Sequence, residues 1–270
     1  MADLLGPALL FCPADRPDRY GKAAERADSV ILDLEDAVAS SAKSRAREHL
    51  VASRLDPART LVRVNPVGTP EHRLDLEALA ATAYRTVMLA KTESPEQVAS
   101  LSGYAVVGLV ETARGVLAVE RIAAAPGLVG LMWGAEDLVA SLGGSSSRRA
   151  DGGYRDVARH ARSRVLLAAG AYRLAAIDAI SADTTDLDGL GREVADAVAS
   201  GFSATACIHP AQVPVIRAGY APTPDQLAWA RRVLAAVETG GDGAIAVDGR
   251  MIDAPLVRQA RSLLSRSPTP

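Results

Sequence analysis

Short apolar runs alternate with longer amphipathic stretches along most of this chain. The runs are ALLFCP (8–13), VILDL (30–34), TLVRVN (60–65), TVMLA (86–90), AVVGLV (105–110), LVGLMW (128–133), AIDAIS (176–181) and ATACIH (204–209). Their apolar positions are mostly consecutive, the pattern of strands buried on both faces of a parallel sheet. Between them KSRAREHLVASRL, HRLDLEALAATA, SPEQVASL and YRDVARHARSRVLLAAGAYR read as helices, with Ser94 and Pro95 as an N-cap and first-turn pair. Eight strand–helix units within roughly 220 residues predict an α/β fold of the (β/α)8 TIM-barrel type. A doubly wound open sheet is the alternative. No glycine-rich dinucleotide or phosphate loop follows the first strand, which counts against it.

After Tyr220 the pattern changes. APTPDQ reads as a linker and helix start, LAWARRVLAAVE as a helix, TGGDGA as a turn, IAVDGRMID as a hairpin and APLVRQARSLLS as a last helix. The expected division is a barrel catalytic domain over 1–221 and a C-terminal lid or oligomerisation segment over 222–270. The latter is small for a core of its own, so it should dock on the barrel or on a neighbouring subunit. GGSSSRRADGG (143–153) is the other aperiodic stretch, either a surface loop or a mobile active-site loop.

Polar residues collect where the predicted strands end, the face on which barrel enzymes carry their chemistry. Arg16 and Lys22 follow the first strand, and Asp33, Glu35 and Asp36 close the second. Arg63 and Asn65 lie in the third, Lys91 follows the fourth, and Glu111 and Arg114 follow the fifth. Glu136 and Asp137 follow the sixth, and His209 ends the eighth. Neighbouring strands lie about 4.8 Å apart, so Glu111 and Asp137 could share one hard cation such as magnesium. Alternatively Glu111 caps the next helix and Asp137 pairs with Arg114. Glu35 and Asp36 would face that cation through its waters, or pair with Arg63 and Lys91. Arg63, inside an apolar strand, needs anionic partners: a substrate carboxylate or enolate oxygen, or Glu35 and Asp36. Lys91 could do similar work or mark the strand exit, and His209 either lines the pocket or is structural.

Composition narrows the classes. Of 270 residues 49% are hydrophobic but only 4% aromatic, so small aliphatic side chains fill the core. The net charge of −2 without a basic block argues against nucleic-acid or membrane binding through bulk charge. The apolar runs are too short to span a bilayer, and MADLLGPALL lacks the basic region of a signal peptide. Two cysteines make no disulfide framework, and a cytoplasmic location is expected.

FCPADRPDRYGKA, VILDLEDAV, VRVN, LVETARG, MWGAEDL and CIHPAQ, in that order, resemble the citrate lyase beta-subunit-like group of the HpcH/HpaI aldolase family, which includes malyl-CoA and citramalyl-CoA lyases. The likeness runs from about residue 7 to residue 259. It implies a TIM barrel with a C-terminal lid, a homotrimer or hexamer, Mg2+, and acyl-CoA and 2-oxo acid substrates. By this resemblance Glu111 and Asp137 hold the metal and Arg63 contacts the oxo-acid or enolate oxygens. Phe11, Arg16 and Lys22 fall at the coenzyme A site, and Glu136, Ile208 and His209 near the substrate. GRMIDAP matches a lid stretch whose aspartate, Asp253 here, serves as acid/base from an adjacent subunit. Read without the resemblance, Asp253 is a hairpin-end or helix-cap residue. The implied activity is carbon–carbon cleavage of a β-hydroxyacyl-CoA such as citramalyl-CoA into acetyl-CoA and pyruvate. A malyl-CoA lyase or malate-synthase-like enzyme using glyoxylate, and a non-catalytic CoA-binding subunit, are the alternatives.

Overall fold

In the computed structural model, which describes residues 6–240 and 245–266, eight parallel strands close into a barrel in chain order, β1 pairing with both β2 and β8. The strands are β1 (Ala8–Pro13), β2 (Ser29–Asp33), β3 (Thr60–Val64), β4 (Thr86–Leu89), β5 (Ala105–Val110), β6 (Leu128–Trp133), β7 (Ala175–Asp178) and β8 (Ala204–Cys207). Each predicted apolar run supplies one strand. Helices α1 (Tyr20–Arg26), α2 (Lys43–Ala52), α3 (Pro70–Ala80), α4 (Pro95–Ala99) and α5 (Ala113–Ala123) follow the first five strands in turn. α6 (Ala135–Ser141) and α7 (Asp156–Tyr172) both follow β6, α8 (Leu187–Ser200) follows β7, and α9 (Gln212–Tyr220) follows β8.

Alternation along each strand sorts the core. Leu9, Ile31, Leu61, Met88, Val107, Leu109, Met132, Ile177, Ala204 and Ala206 point inward and fill the barrel. Their neighbours face the helices, which bury complementary apolar stripes: Val116, Val119, Ile122 and Ala123 of α5 recur at helical spacing. Local signals start the helices, at α4 with the expected Ser94 cap. Ser94 and Gln97 form a reciprocal capping box at α4, and Thr112 and Asp186 cap α5 and α8.

The chain separates into two compact units, Met1–Ile216 and Arg217–Pro270. In the second, α10 (Pro224–Gly240) and α11 (Ala254–Ser265) pack with an antiparallel hairpin of β9 (Ile245–Val247) and β10 (Arg250–Ile252). Ala230, Val233, Val247, Ile252, Ala260 and Leu263 are buried together there. The tail therefore assembles an apolar cluster of its own, because a helix pair and a hairpin bring together residues that look sparse along the sequence. Of the glycine-rich turn expected over 239–244, residues 241–244 lie outside the described residues, as do residues 1–5 of the amino-terminal stretch.

Candidate active site

Continuing the inward alternation past Leu9, Ile31, Leu61 and Leu109 leads to Phe11, Asp33, Arg63 and Glu111, so the apolar filling ends in a polar layer. Asp33 and Arg63 are register partners on adjacent strands. The guanidinium grips Asp33 with both prongs, Nε to Oδ1 at 2.7 Å and Nη2 to Oδ2 at 2.6 Å. Its Nη1 meets Glu35 Oε2 at 2.9 Å, and its face lies 4.9 Å from the centroid of Phe11. Three of five N–H groups are thus committed, leaving one on each terminal nitrogen. Asp33, fully buried, also accepts the backbone N–H groups of Glu35 and Ala37, so it shapes the β2–α2 turn as well as holding Arg63. Of the two readings of Glu35 and Asp36, the structure displays ion pairing: Glu35 joins Arg63 and Lys91, and Asp36 joins Lys91 at 3.0 Å. Burial raises the Glu35 carboxyl above its ordinary range despite Arg63 and Lys91.

Glu111 and Asp137 stand at the ends of β5 and β6, where Val110 and Trp133 are register partners. Gly134 makes room for Glu111: a Cβ at 134 would sit 2.8 Å from Glu111 Oε2. Glu111 is buried and accepts the backbone N–H of Lys91 at 3.1 Å. Among the described residues no cationic side chain reaches it within salt-bridge distance. Burial, then the nearby Asp137 charge, push its carboxyl up to about 8. Neither structural alternative for the pair is met. Thr112, not Glu111, caps α5, while Arg114 is exposed and lies 3.9 Å from Glu93 rather than beside Asp137. Asp137, in the first turn of α6, has Lys91 Nζ at 3.5 Å.

The other candidates spread around this centre. Arg16 and Lys22 are exposed in the β1–α1 segment, Arg16 paired with Asp18 at 3.2 Å. Glu136 accepts from Ser147 Oγ at 2.5 Å, which ties the 143–153 loop to α6. Arg148 in that loop pairs with Glu193 and stacks over Tyr154, so the stretch is built on specific contacts. Ile208 and His209 are exposed past β8, and the buried Gln212 accepts both of their backbone N–H groups. Asn65 is saturated by Asp75, Lys43 and the Leu34 carbonyl, leaving it a structural role. Asp253 caps α11, accepting Leu256 N–H at a long 3.4 Å, and belongs to the second compact unit.

Lys43, Gln212 and Ser147 are the supports that sequence reasoning missed. The Lys43 ammonium is buried and donates only to uncharged oxygens: the Leu34 and Glu35 carbonyls and Asn65 Oδ1, at 2.8–2.9 Å. A lone lysine on the buried face of α2 was the available signal.

The donor set fits a hard divalent cation. Among the described residues no group of three or more His, Cys, Asp and Glu side chains is placed to hold a metal ion by itself. Two oxygen ligands from Glu111 and Asp137, with the remaining positions left to water and substrate oxygens, is a magnesium arrangement. It would also offset the burial and the Asp137 charge that raise Glu111.

The HpcH/HpaI aldolase/citrate lyase family model matches residues 8–210. A citrate lyase subunit beta-like protein of Mycobacterium tuberculosis is 57% identical over 262 residues, covering 97% of this chain and 96% of that protein. The mitochondrial citramalyl-CoA lyase of Homo sapiens is 31% identical over 291 residues, covering 96% and 84%. The crystal structure of CitE from M. tuberculosis in complex with magnesium, acetoacetate and coenzyme A superposes with a TM-score of 0.94 at 56% identity, covering 98% and 99%. With the match spanning the whole barrel and its polar layer, the chain belongs to the HpcH/HpaI aldolase/citrate lyase family.

Proposed function

We propose that this protein is a magnesium-dependent carbon–carbon lyase. It cleaves, or in reverse forms, a β-hydroxyacyl-CoA, with citramalyl-CoA giving acetyl-CoA and pyruvate. The observation that carries the reading is the Glu111–Asp137 carboxylate pair, short of positive charge, beside a guanidinium with two uncommitted N–H groups. The magnesium and coenzyme A bound by the M. tuberculosis relative, and the activity named for the human one, support it.

Glu111 and Asp137 would hold magnesium, which would supply Lewis-acid charge to the oxo-acid half. Arg63, held by Asp33 and Glu35, donates its free N–H groups to the alcohol oxygen, which gives its proton to water and becomes a carbonyl as the C–C bond breaks. That pre-set fork needs no reorganisation during the reaction. The electron pair of the broken bond goes to the acetyl-CoA fragment as an enolate, which Asp253 protonates at carbon; in condensation the same carboxylate removes that proton. Glu35 and Asp36 hold Arg63 and Lys91 in place around the cation. Arg16 and Lys22 meet the coenzyme A phosphates, and the exposed Arg16–Asp18 pair is weak enough to yield to them. Phe11, Glu136, Ile208 and His209 complete the pocket wall. In a homo-oligomer in the cytoplasm, Asp253 of an adjacent copy would act on the reacting carbon.

The test is incubation with both stereoisomers of citramalyl-CoA and malyl-CoA, with magnesium and with chelator. The expected result is magnesium-dependent release of pyruvate and acetyl-CoA from one citramalyl-CoA isomer. Glyoxylate from malyl-CoA would move the assignment to the malyl substrate. Free coenzyme A with an intact hydroxy acid would replace lyase chemistry by thioester hydrolysis.

A further inference from the structure

Lys91 is the hub of the acidic ring. Its backbone N–H goes to Glu111, and its ammonium contacts Glu35, Asp36 at 3.0 Å and Asp137 at 3.5 Å. One residue thus touches four carboxylates from three segments of the barrel. Its backbone is in the left-handed region, φ 50°, a conformation that costs a residue with a Cβ about 1–2 kcal/mol. The neighbours keep the strand ladder on either side, Ala90 N–H to the Val64 carbonyl and Thr92 N–H to the Leu109 carbonyl. The kink therefore frees only the Lys91 amide, which turns to Glu111. Glycine would adopt this backbone without strain, so a lysine here answers a need for its side chain.

Charge supplies that need. Among the described residues Asp33, Glu35, Asp36, Glu111 and Asp137 have only Arg63 and Lys91 as cationic side chains around them, leaving three negative charges uncompensated when all are ionised. Arg63 is immobilised by Asp33, Glu35 and Phe11, whereas Lys91 ends in a compact charge on a flexible stem and is partly exposed. The chain has 27 arginines and three lysines, Lys22, Lys43 and Lys91, so the mobile point charge at this spot is a rare choice.

We propose that the Lys91 ammonium is the ring's resident counter-cation. Without a divalent ion it bridges Glu35, Asp36 and Asp137. When a divalent ion takes Asp137, the ammonium is repelled from that carboxylate and stays with Glu35 and Asp36. Lys91 is then a residue that offsets the charge of the metal-free ring and opposes metal binding. The inference rests on the metal reading of Glu111 and Asp137.

Two measurements on the full-length protein, without oxo acid or coenzyme A, test it. Magnesium titrated calorimetrically should bind Lys91→Met about tenfold more tightly than wild type, since a competing charge a few ångströms away is gone. In wild type, amine acylation followed by mass spectrometry should rise at Lys91 along the magnesium isotherm, with the exposed Lys22 unchanged as internal standard. This second arm decides the matter if Lys91→Met does not fold. Equal or weaker magnesium binding by folded Lys91→Met, or flat Lys91 labelling while magnesium binds, overturns the counter-cation role and leaves the metal site standing. Absence of magnesium binding by wild type, or binding unaffected by Asp137→Asn, overturns the metal reading and this proposal with it.

Discussion

Two charged clusters flank the barrel wall, and they are built on opposite principles. The strand-end ring gathers five carboxylates around two cations, and among the described residues no cationic side chain is in salt-bridge contact with Glu111. Around β7 the acids are matched instead. Arg162 on α7 grips Asp178 at 2.8 Å and Asp196 at 2.7 Å, Arg148 takes Glu193, and Trp133 Nε1 donates to Asp178 at 2.5 Å. Aromatic rings cover both guanidinium groups, Phe202 over Arg162 and Tyr154 over Arg148. This second cluster lines a cavity of about 520 Å³, yet its charges are already spoken for. A cavity lined by charged residues would by itself direct attention to β7. Charge balance directs it to the ring, because a barrel keeps excess carboxylates together only where something else brings positive charge.

The largest effect that would sharpen this contrast is loss of the Glu111–Asp137 pair. Glu111→Ala and Asp137→Ala should each abolish magnesium binding by calorimetry and lower kcat/KM by on the order of 10³-fold or more. Full activity of either variant in chelator would break the assignment. Next, Asp253→Ala should lower turnover by about 10²–10⁴-fold while magnesium affinity stays at the wild-type value, because a proton-transfer group is not a ligand. A fall in affinity alongside activity would mean that Asp253 acts through the metal.

The matched cluster should respond in stability instead. Arg162→Met leaves Asp178 buried without its guanidinium and should cost about 3 kcal/mol in urea unfolding, with magnesium affinity unchanged. The smallest effect is in pH dependence. Glu111 has an ordinary value of 4.5 and is raised to about 8 in the folded, metal-free protein. Between those values the fold retains a proton that the unfolded chain has released, so this group's contribution to stability falls as pH rises from about 4.5 to about 8 and is level above. Comparing metal-free wild type with Glu111→Gln across that range isolates the slope; parallel curves would show that Glu111 titrates normally.

Much of the ring was legible in the chain because strand ends advertise themselves. An apolar run that stops at Asp33, Glu35 and Asp36, or carries Arg63 at its centre, violates the patterning of a buried strand and marks a polar layer. Which partners those residues take was not legible. Asp33 meets Arg63 because β2 and β3 pair in that register, and a shift of one residue would have turned it to the other face. Phe11, expected at the coenzyme A site, stacks on Arg63 for the same reason, two positions above Leu9 on the inner face of β1. Lys43 escaped notice because its acceptors are main-chain and amide oxygens, which leave no complementary charge in the sequence.

The sequence by itself determined the repeat of strands and helices, the barrel, and the set of residue types gathered at its carboxyl end, since hydrophobic periodicity and helix caps act over a few neighbouring positions. Tertiary structure alone decided the charge balance. Whether an acid is matched depends on which cation is brought near it across distant segments and on how much water is excluded, and both are consequences of closing the barrel. Lys91 joins the two levels: its place after β4 is local, but the four carboxylates it touches come together only in the closed fold.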